Sequence, residues 1–353
     1  NAALGALFQV PKELDAELLG YIKDIDQAIA DRSGDTITRL KVGIIAVLSR
    51  SGDQESMKYL HEIWKREPEL RQPIALGLSQ EPGGSNWSYL LHSLAVVEGQ
   101  VAQEVLSQLK TVDQRPVQSQ YYRQVILNGL KLDAKNASVA VELLEHWTAQ
   151  QTPEEHSAEV SDQLAYWQGW FQDRFPGKPA AKLPVAPEGS KWTFSNLADY
   201  LTTGEGAHGN AQRGALVFEK SQCVKCHRFG DSGEVMGPDL SNIRKRFTKK
   251  EILESIVFPS HVISDQYRSR QIVTTDGRIY GGLVVPGPGE QWIVLQSNGK
   301  KITVPKGQVE TVENSKQSAM PAQLLDKLTL EEITDLFAYL GVLPKTAVAR
   351  RPE

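Results

Sequence analysis

The stretch "FPGKPAAKLPVAPEGS", residues 175–190, carries four prolines and no periodic apolar pattern. Proline lacks the amide hydrogen that helix interiors and inner strands need, so neither runs through such a stretch. Residues 176–191 read as an extended linker, partly polyproline II. The chain of 353 residues must therefore fold as at least two pieces, each long enough to bury its own core.

The first piece, residues 1–175, reads as helical. "TITRLKVGIIAVLSR" places Ile37, Leu40, Ile44, Ile45 and Leu48 on one helical stripe, and "ASVAVELLEHWTAQ" does the same with Val139, Leu143, Leu144 and Trp147. Breakers such as "SRSGD", "EPGG" and "LDAKN" separate short amphipathic segments, and no strand alternation intervenes. This pattern predicts a helical bundle or an α-solenoid of helix pairs.

The second piece, residues 192–345, reads as three helices framing a β-rich insert, followed by a tail at 346–353. The first helix runs from about Asn210, a plausible N-cap, to Ser221, with Ala215, Leu216 and Phe218 as its apolar face. The second is "TKKEILESIVF", where Thr248 and Glu251 form a capping box ahead of Ile252, Leu253, Ile256 and Val257. The third is "TLEEITDLFAYLG", capped by Thr329 and Glu332 and closed by Gly341 at the C′ position. Between the last two, Asp276-Gly277 and Asn298-Gly299 are type I′ hairpin signals, which predicts an antiparallel meander of four or five strands over about 267–312. The fold class expected is mainly α, with a β meander inserted into the second domain.

Only two cysteines occur, and a histidine follows the second in "SQCVKCH". Cys-x-x-Cys-His is the attachment pattern of c-type haem. Two sulfurs at this spacing reach the two vinyl groups of one porphyrin edge, and the next residue presents an imidazole to the iron. Cys223 and Cys226 are then the thioether residues, holding one covalent haem c, and His227 is the proximal ligand. A redox dithiol would need a βαβ setting, but the preceding segment is helical. A structural zinc site wants four ligands, and no second cysteine pair exists. A disulfide across three residues would be strained and would leave His227 unexplained.

A second axial ligand must come from a short set. Met320, in "KQSAMPAQLLDKLT" just before the last helix, is the favoured candidate, because that loop crosses the distal face in a small cytochrome. His208 and His261 remain alternatives, and so does Met236, although it follows His227 so closely that it should lie on the proximal side.

These segments resemble class I cytochromes c. "RGALVFEKSQCVKCH" is similar to the family's first helix, and "ITDLFAYLG" to its last, whose aromatic residue packs near Gly214 where the two helices cross. "MGPDL" is similar to the loop whose proline carbonyl accepts the proximal imidazole N–H. The resemblance implies that role for Pro238 and places Leu240 among the haem-binding residues. More closely, "GPDLSNIRKRFTKKEILESIVFPSHVISDQY", "TTDGRIYGGLVV" and "SAMPAQLLDKLTLEEITDLFAYL" resemble the haem-binding domain of the Pirellula/Verrucomicrobium type over about residues 195–343. That family inserts a β-rich segment between the two axial ligands. It often follows a sugar-dehydrogenase propeller and HEAT-like repeats in large exported proteins. Phe258 stands where the family often has Asp, so local hydrogen bonding there should differ.

The resemblance implies an electron-transfer module with His/Met ligation rather than an enzyme. Its donor would be an upstream dehydrogenase domain or a separate redox partner. The other readings are a haem enzyme or gas sensor with an open iron, and a module that binds a partner or polysaccharide through Trp87, Trp167, Trp170 and Trp292. The net charge of −4 argues against a nucleic-acid binder, since "RKRFTKK" is the densest basic run. No apolar run approaches the about 18 residues that a transmembrane helix needs. The opening "NAALGALFQVPKELD" lacks a charged n-region and a starting Met, and reads as a mature form or a piece of something longer. Covalent haem nevertheless implies a periplasmic or otherwise exported location.

Overall fold

The computed structural model describes residues 14–32, 34–261 and 267–343. The expected tail at 346–353 lies outside them. The chain divides into two compact units, residues 1–183 and 184–353. About half of it is helical, and an antiparallel sheet accompanies the helices.

The first unit consists of α1 (Ala16–Ala28), α2 (Asp35–Ser51), α3 (Gln54–Arg66), α4 (Arg71–Leu78), α5 (Asn86–Ser93), α6 (Gly99–Leu109), α7 (Ser119–Lys131), α8 (Ser138–Thr148) and α9 (Val160–Arg174). Each of these helices packs on those next or next but one in the chain. Of the expected stripe, Ile44, Ile45 and Leu48 are buried and Ile37 and Leu40 partly so. Trp167 and Leu144 sit at the centre of the same core. Sequence periodicity did not reveal the buried charges. Asp26 accepts from the Tyr59 hydroxyl at 2.7 Å and from Arg66 at 2.5 Å, and Lys41 meets Glu67 at 2.6 Å. Pairing is what allows such groups to be buried at all.

The proline-rich stretch is held at its near end by the first unit. Its carbonyls have no sheet or helix to bond within, and side chains supply the donors instead. Arg123 Nε donates to Pro179 and Ala180 at 3.2 and 3.0 Å, and Gln168 Nε2 to Ala181 at 2.6 Å.

The second unit contains α10 (Phe194–Tyr200), α11 (Ala211–Lys220), α12 (Lys249–Val257) and α13 (Leu330–Tyr339). Both expected capping boxes are present, Thr248 with Glu251 and Thr329 with Glu332. The face of α11 differs from the expectation. Phe218 is buried as expected, but Leu216 is 67% exposed, and Gly214 and Val217 complete the buried face in its place. The reason is the crossing with α13, which passes directly over Gly214 and so selects the face that carries it.

The sheet follows a two-strand hairpin, β1 (Arg228–Phe229) and β2 (Ser232–Gly233). Its strands are β3 (Arg268–Thr274), β4 (Ile279–Pro286), β5 (Gln291–Leu295), β6 (Lys301–Pro305) and β7 (Val309–Ser318). All pairings are antiparallel, in the order β6-β5-β4-β3-β7. β3 to β6 run as a meander, but β7 crosses back to pair with β3. That return brings the two ends of the insert together, with the Ser318 amide donating to Ser260 Oγ at 3.0 Å. A segment whose ends meet can be inserted without disturbing its host. Neither hairpin turn is type I′, because only Gly277 (φ 82°) and Gly299 (φ 80°) are left-handed while Asp276 and Asn298 are not. One left-handed glycine after a type I turn closes each slightly longer loop.

Candidate functional site

Helix α11 ends at Lys220 with Ser221 as its C-cap, and Gln222 then takes a left-handed conformation (φ 63°, ψ 12°) that swings the chain out of the helix. Cys223–Lys225 follow as one 3₁₀ turn. The amides of Cys226 and His227 both donate to the Cys223 carbonyl, at 3.1 and 2.9 Å. One tight turn thus presents Cys223, Cys226 and His227 together.

The following loop wraps against this turn. Glu234 N–H donates to Val224 at 3.0 Å, Gly237 N–H to Cys226 at 2.7 Å and Leu240 N–H to Arg228 at 2.8 Å. Gly237 lies flat against the imidazole, where an added Cβ would stand 3.1 Å from His227 Cε1 and Nδ1. His227 Nδ1 donates to the Pro238 carbonyl at 2.8 Å. A carbonyl only accepts, so Nδ1 carries the hydrogen and Nε2 keeps its lone pair for an electrophile. Burial lowers the His227 pKa and favours the neutral ring, against the opposing pull of the Pro238 carbonyl. Leu240 is half-buried and packs with Phe229 and Ile243 against the core of this unit.

Cys223 and Cys226 are not joined in a disulfide. Burial pushes Cys223 up to about 11 and raises Cys226 as well. A raised value runs against a dithiol redox couple, which needs a depressed pKa. Among the described residues no group of three or more His, Cys, Asp and Glu side chains converges, so the four-ligand zinc alternative has no ligand set there. Ser221 Oγ, two residues before Cys223, is buried without a hydrogen-bond partner.

Cys223, Cys226, His227, Pro238 and Leu240 are thus gathered around one turn. Met320 stands on the loop between β7 and α13, half-buried, with its amide donating to Ser318 Oγ at 3.1 Å. His208 is exposed ahead of α11, Met236 is half-buried beside Gly237, and His261 Nε2 lies 3.6 Å from Glu254 Oε1. Phe258 packs on Phe194 with ring centroids 5.7 Å apart. Trp167 is buried, and Trp87, Trp170 and Trp292 are half-buried among hydrophobic neighbours.

Sequence reasoning missed two supports of the site. One is the left-handed Gln222, which carries no composition signal. The other joins α11 to α13, where buried Asp335 accepts from the Asn210 amide at 2.6 Å and from Arg213 Nε at 2.6 Å. Its signal in the sequence was an acidic residue in the middle of the apolar run "ITDLFAYLG".

A helix leading into a two-cysteine turn, with a neutral histidine docked on a proline carbonyl and a second helix crossing the first, defines a cytochrome c-like domain. Residues 211–275 match the family model for Cytochrome c, a span from α11 to the end of β3. The chain therefore carries a cytochrome c-like domain, and the match supports a haem-binding, electron-transfer role. No curated protein matches the chain.

Proposed function

We propose that this chain is an electron-transfer module holding one haem c. The carrying observation is the turn at Cys223–His227, where two cysteines in no disulfide share one turn with an imidazole whose Nδ1–H is committed to Pro238, 2.8 Å away. The donor set fits the group, with two thiols for two thioether bonds, one lone-pair nitrogen for iron, and the apolar side chains of Phe229, Leu240 and Ile243 close by. When bound, the group would supply one-electron redox chemistry at an iron whose potential its axial ligands tune. Cys223 and Cys226 would hold the haem covalently. His227 would bind its iron, with the Pro238 carbonyl fixing the imidazole's tautomer and ring angle. Met320 would give the iron its second protein ligand, a reading supported by its half-buried place on the loop leading into α13.

The redox partner is a dehydrogenase, joined upstream or separate, and the module works in an exported compartment where haem is attached covalently. The first unit is a HEAT-like stack of helix pairs, a reading supported by its packing between helices adjacent or next but one in the chain. Among the described residues no helix is long and apolar enough to cross a membrane.

The visible spectrum of the haem-matured protein tests this reading. A low-spin c-type spectrum, with a weak far-red sulfur-to-iron band and no response to carbon monoxide, is the expected result. A high-spin or carbon-monoxide-reactive spectrum would replace it with an open-iron enzyme or gas sensor.

A further inference from the structure

Among the described residues, three non-glycine residues have left-handed backbone, namely Ala149, Gln222 and Gln323. The last two flank the proposed ligands, Gln222 just before Cys223 and Gln323 three residues after Met320. A glutamine in this conformation is strained, so surrounding contacts must hold it there.

For Gln323 those contacts come from the far end of the proline-rich stretch. Its Nε2 donates to the Glu188 carbonyl at 3.2 Å and to Ser190 Oγ at 3.4 Å. Next to it, Trp192 Nε1 donates to the Leu325 carbonyl at 3.2 Å, and Lys191 Nζ to the Leu328 carbonyl at 3.1 Å. Leu325 and Leu328 are themselves buried in the core of this unit. Ser190, Trp192, Gln323 and Leu325 line one small pocket with Ile256 and Val257 of α12. The stretch from Ala319 to Thr329 lies between β7 and α13. Its start is tied by the Ser260–Ser318 and Ser318–Met320 bonds, and its middle by the segment 188–192.

We propose that residues 188–192 are a strap that holds the Met320 loop in one conformation, with Gln323 as its positioning residue. The proposal rests on the reading of Met320 as an axial ligand. A thioether is a weak neutral ligand, so the fraction of time it is in place follows the loop's own conformational equilibrium. Every strap bond lands on the loop after Met320, where the path into α13 is decided.

The test uses the full haem-loaded chain with Trp192→Phe, which keeps the ring and loses the N–H, and with Gln323→Ala. Met320→Ala serves as a control. The readouts are the rate of imidazole binding, the far-red sulfur-to-iron band, and hydrogen exchange of the amides of 320 and 322–328. Trp192→Phe is expected to raise the binding rate and the exchange roughly fivefold, the effect of one lost hydrogen bond, Gln323→Ala, which loses two, to raise them by at least as much, and both to weaken the far-red band. A general loss of stability would lower the melting temperature without this local pattern. If Met320→Ala opens the iron and the strap variants bind imidazole and exchange like wild type, the strap is refuted and Met320 stands. If Met320→Ala leaves ligation unchanged, the axial reading fails. Hydrogen exchange then decides the strap alone, with faster exchange in its variants keeping it and unchanged exchange removing it.

Discussion

Gly214 lies so close to the Asp335 backbone that a Cβ on it would stand 2.0 Å from the Asp335 carbonyl oxygen and 2.7 Å from Tyr339 Cβ. This contact sets the crossing of α11 and α13. It also fixes where α11 points its C-terminal end, and so where the cysteine turn begins. The obstacle is backbone, which cannot rotate aside as a side chain would.

Gly214→Ala should therefore destabilise the second unit by about 2 kcal/mol through overpacking. That corresponds to roughly 4–8 °C in the melting temperature of a unit this size. Differential scanning calorimetry of the full chain checks it, since the transition of the first unit should not move. An unchanged profile would mean the helices can slide apart at no cost.

Gln222 predicts a sign. Gln222→Gly should be neutral or stabilising by up to about 1 kcal/mol, because glycine takes the left-handed conformation freely. Gln222→Val should cost more than about 1 kcal/mol, since a β-branched side chain resists positive φ. Urea melts of the pair measure the difference. Equal stability would show that the turn has another backbone solution.

Cys223→Ala and Cys226→Ala should each leave one thioether, seen as a shift of the reduced pyridine haemochrome band to longer wavelength. The double variant should retain no haem on a denaturing gel. Covalent haem surviving in the double variant would require an attachment residue outside this turn.

Asp53 gives the first unit a pH dependence. Burial opposes ionisation, but the Ser51 and Ser56 hydroxyls and the amides of Ser56 and Glu55 outweigh it and hold the carboxyl down at about 2 against an ordinary 3.8. A depressed folded-state value means the stabilisation is full above about pH 4 and is lost as pH falls through about 2. Asp53→Ala should cost about 1 kcal/mol near neutral pH, as expected for an N-cap largely screened by solvent. The gap from wild type should close at the acid end. Urea melts between pH 6 and pH 2 measure it, and a constant gap would remove the ionised carboxylate from the account.

What was legible in the sequence was what neighbouring residues settle among themselves. The capping boxes at Thr248 and Thr329 each link residues three apart, and both are present. The cysteine turn is equally local, held by bonds from Cys226 and His227 back to Cys223. The stripe Ile44, Ile45 and Leu48 follows from helical periodicity alone. By contrast, the face of α11 was misjudged because Leu216 and Val217 are both apolar and only the partner helix decides between them. The hairpin turns were misjudged because an Asx-Gly pair serves more than one turn type, and the strand register selects among them.

The sequence by itself determined the helices, the hairpins and a two-cysteine turn with its histidine, because each depends on hydrogen bonds and sterics within a few residues. Only the tertiary structure decided that β7 returns to β3, that Asp335 clamps Asn210 and Arg213, and that residues 188–192 lie across the Met320 loop. Those contacts join residues from about thirty-five to more than a hundred positions apart. They form only where apolar burial has already brought the segments together, and no local pattern encodes which donor will meet which carbonyl.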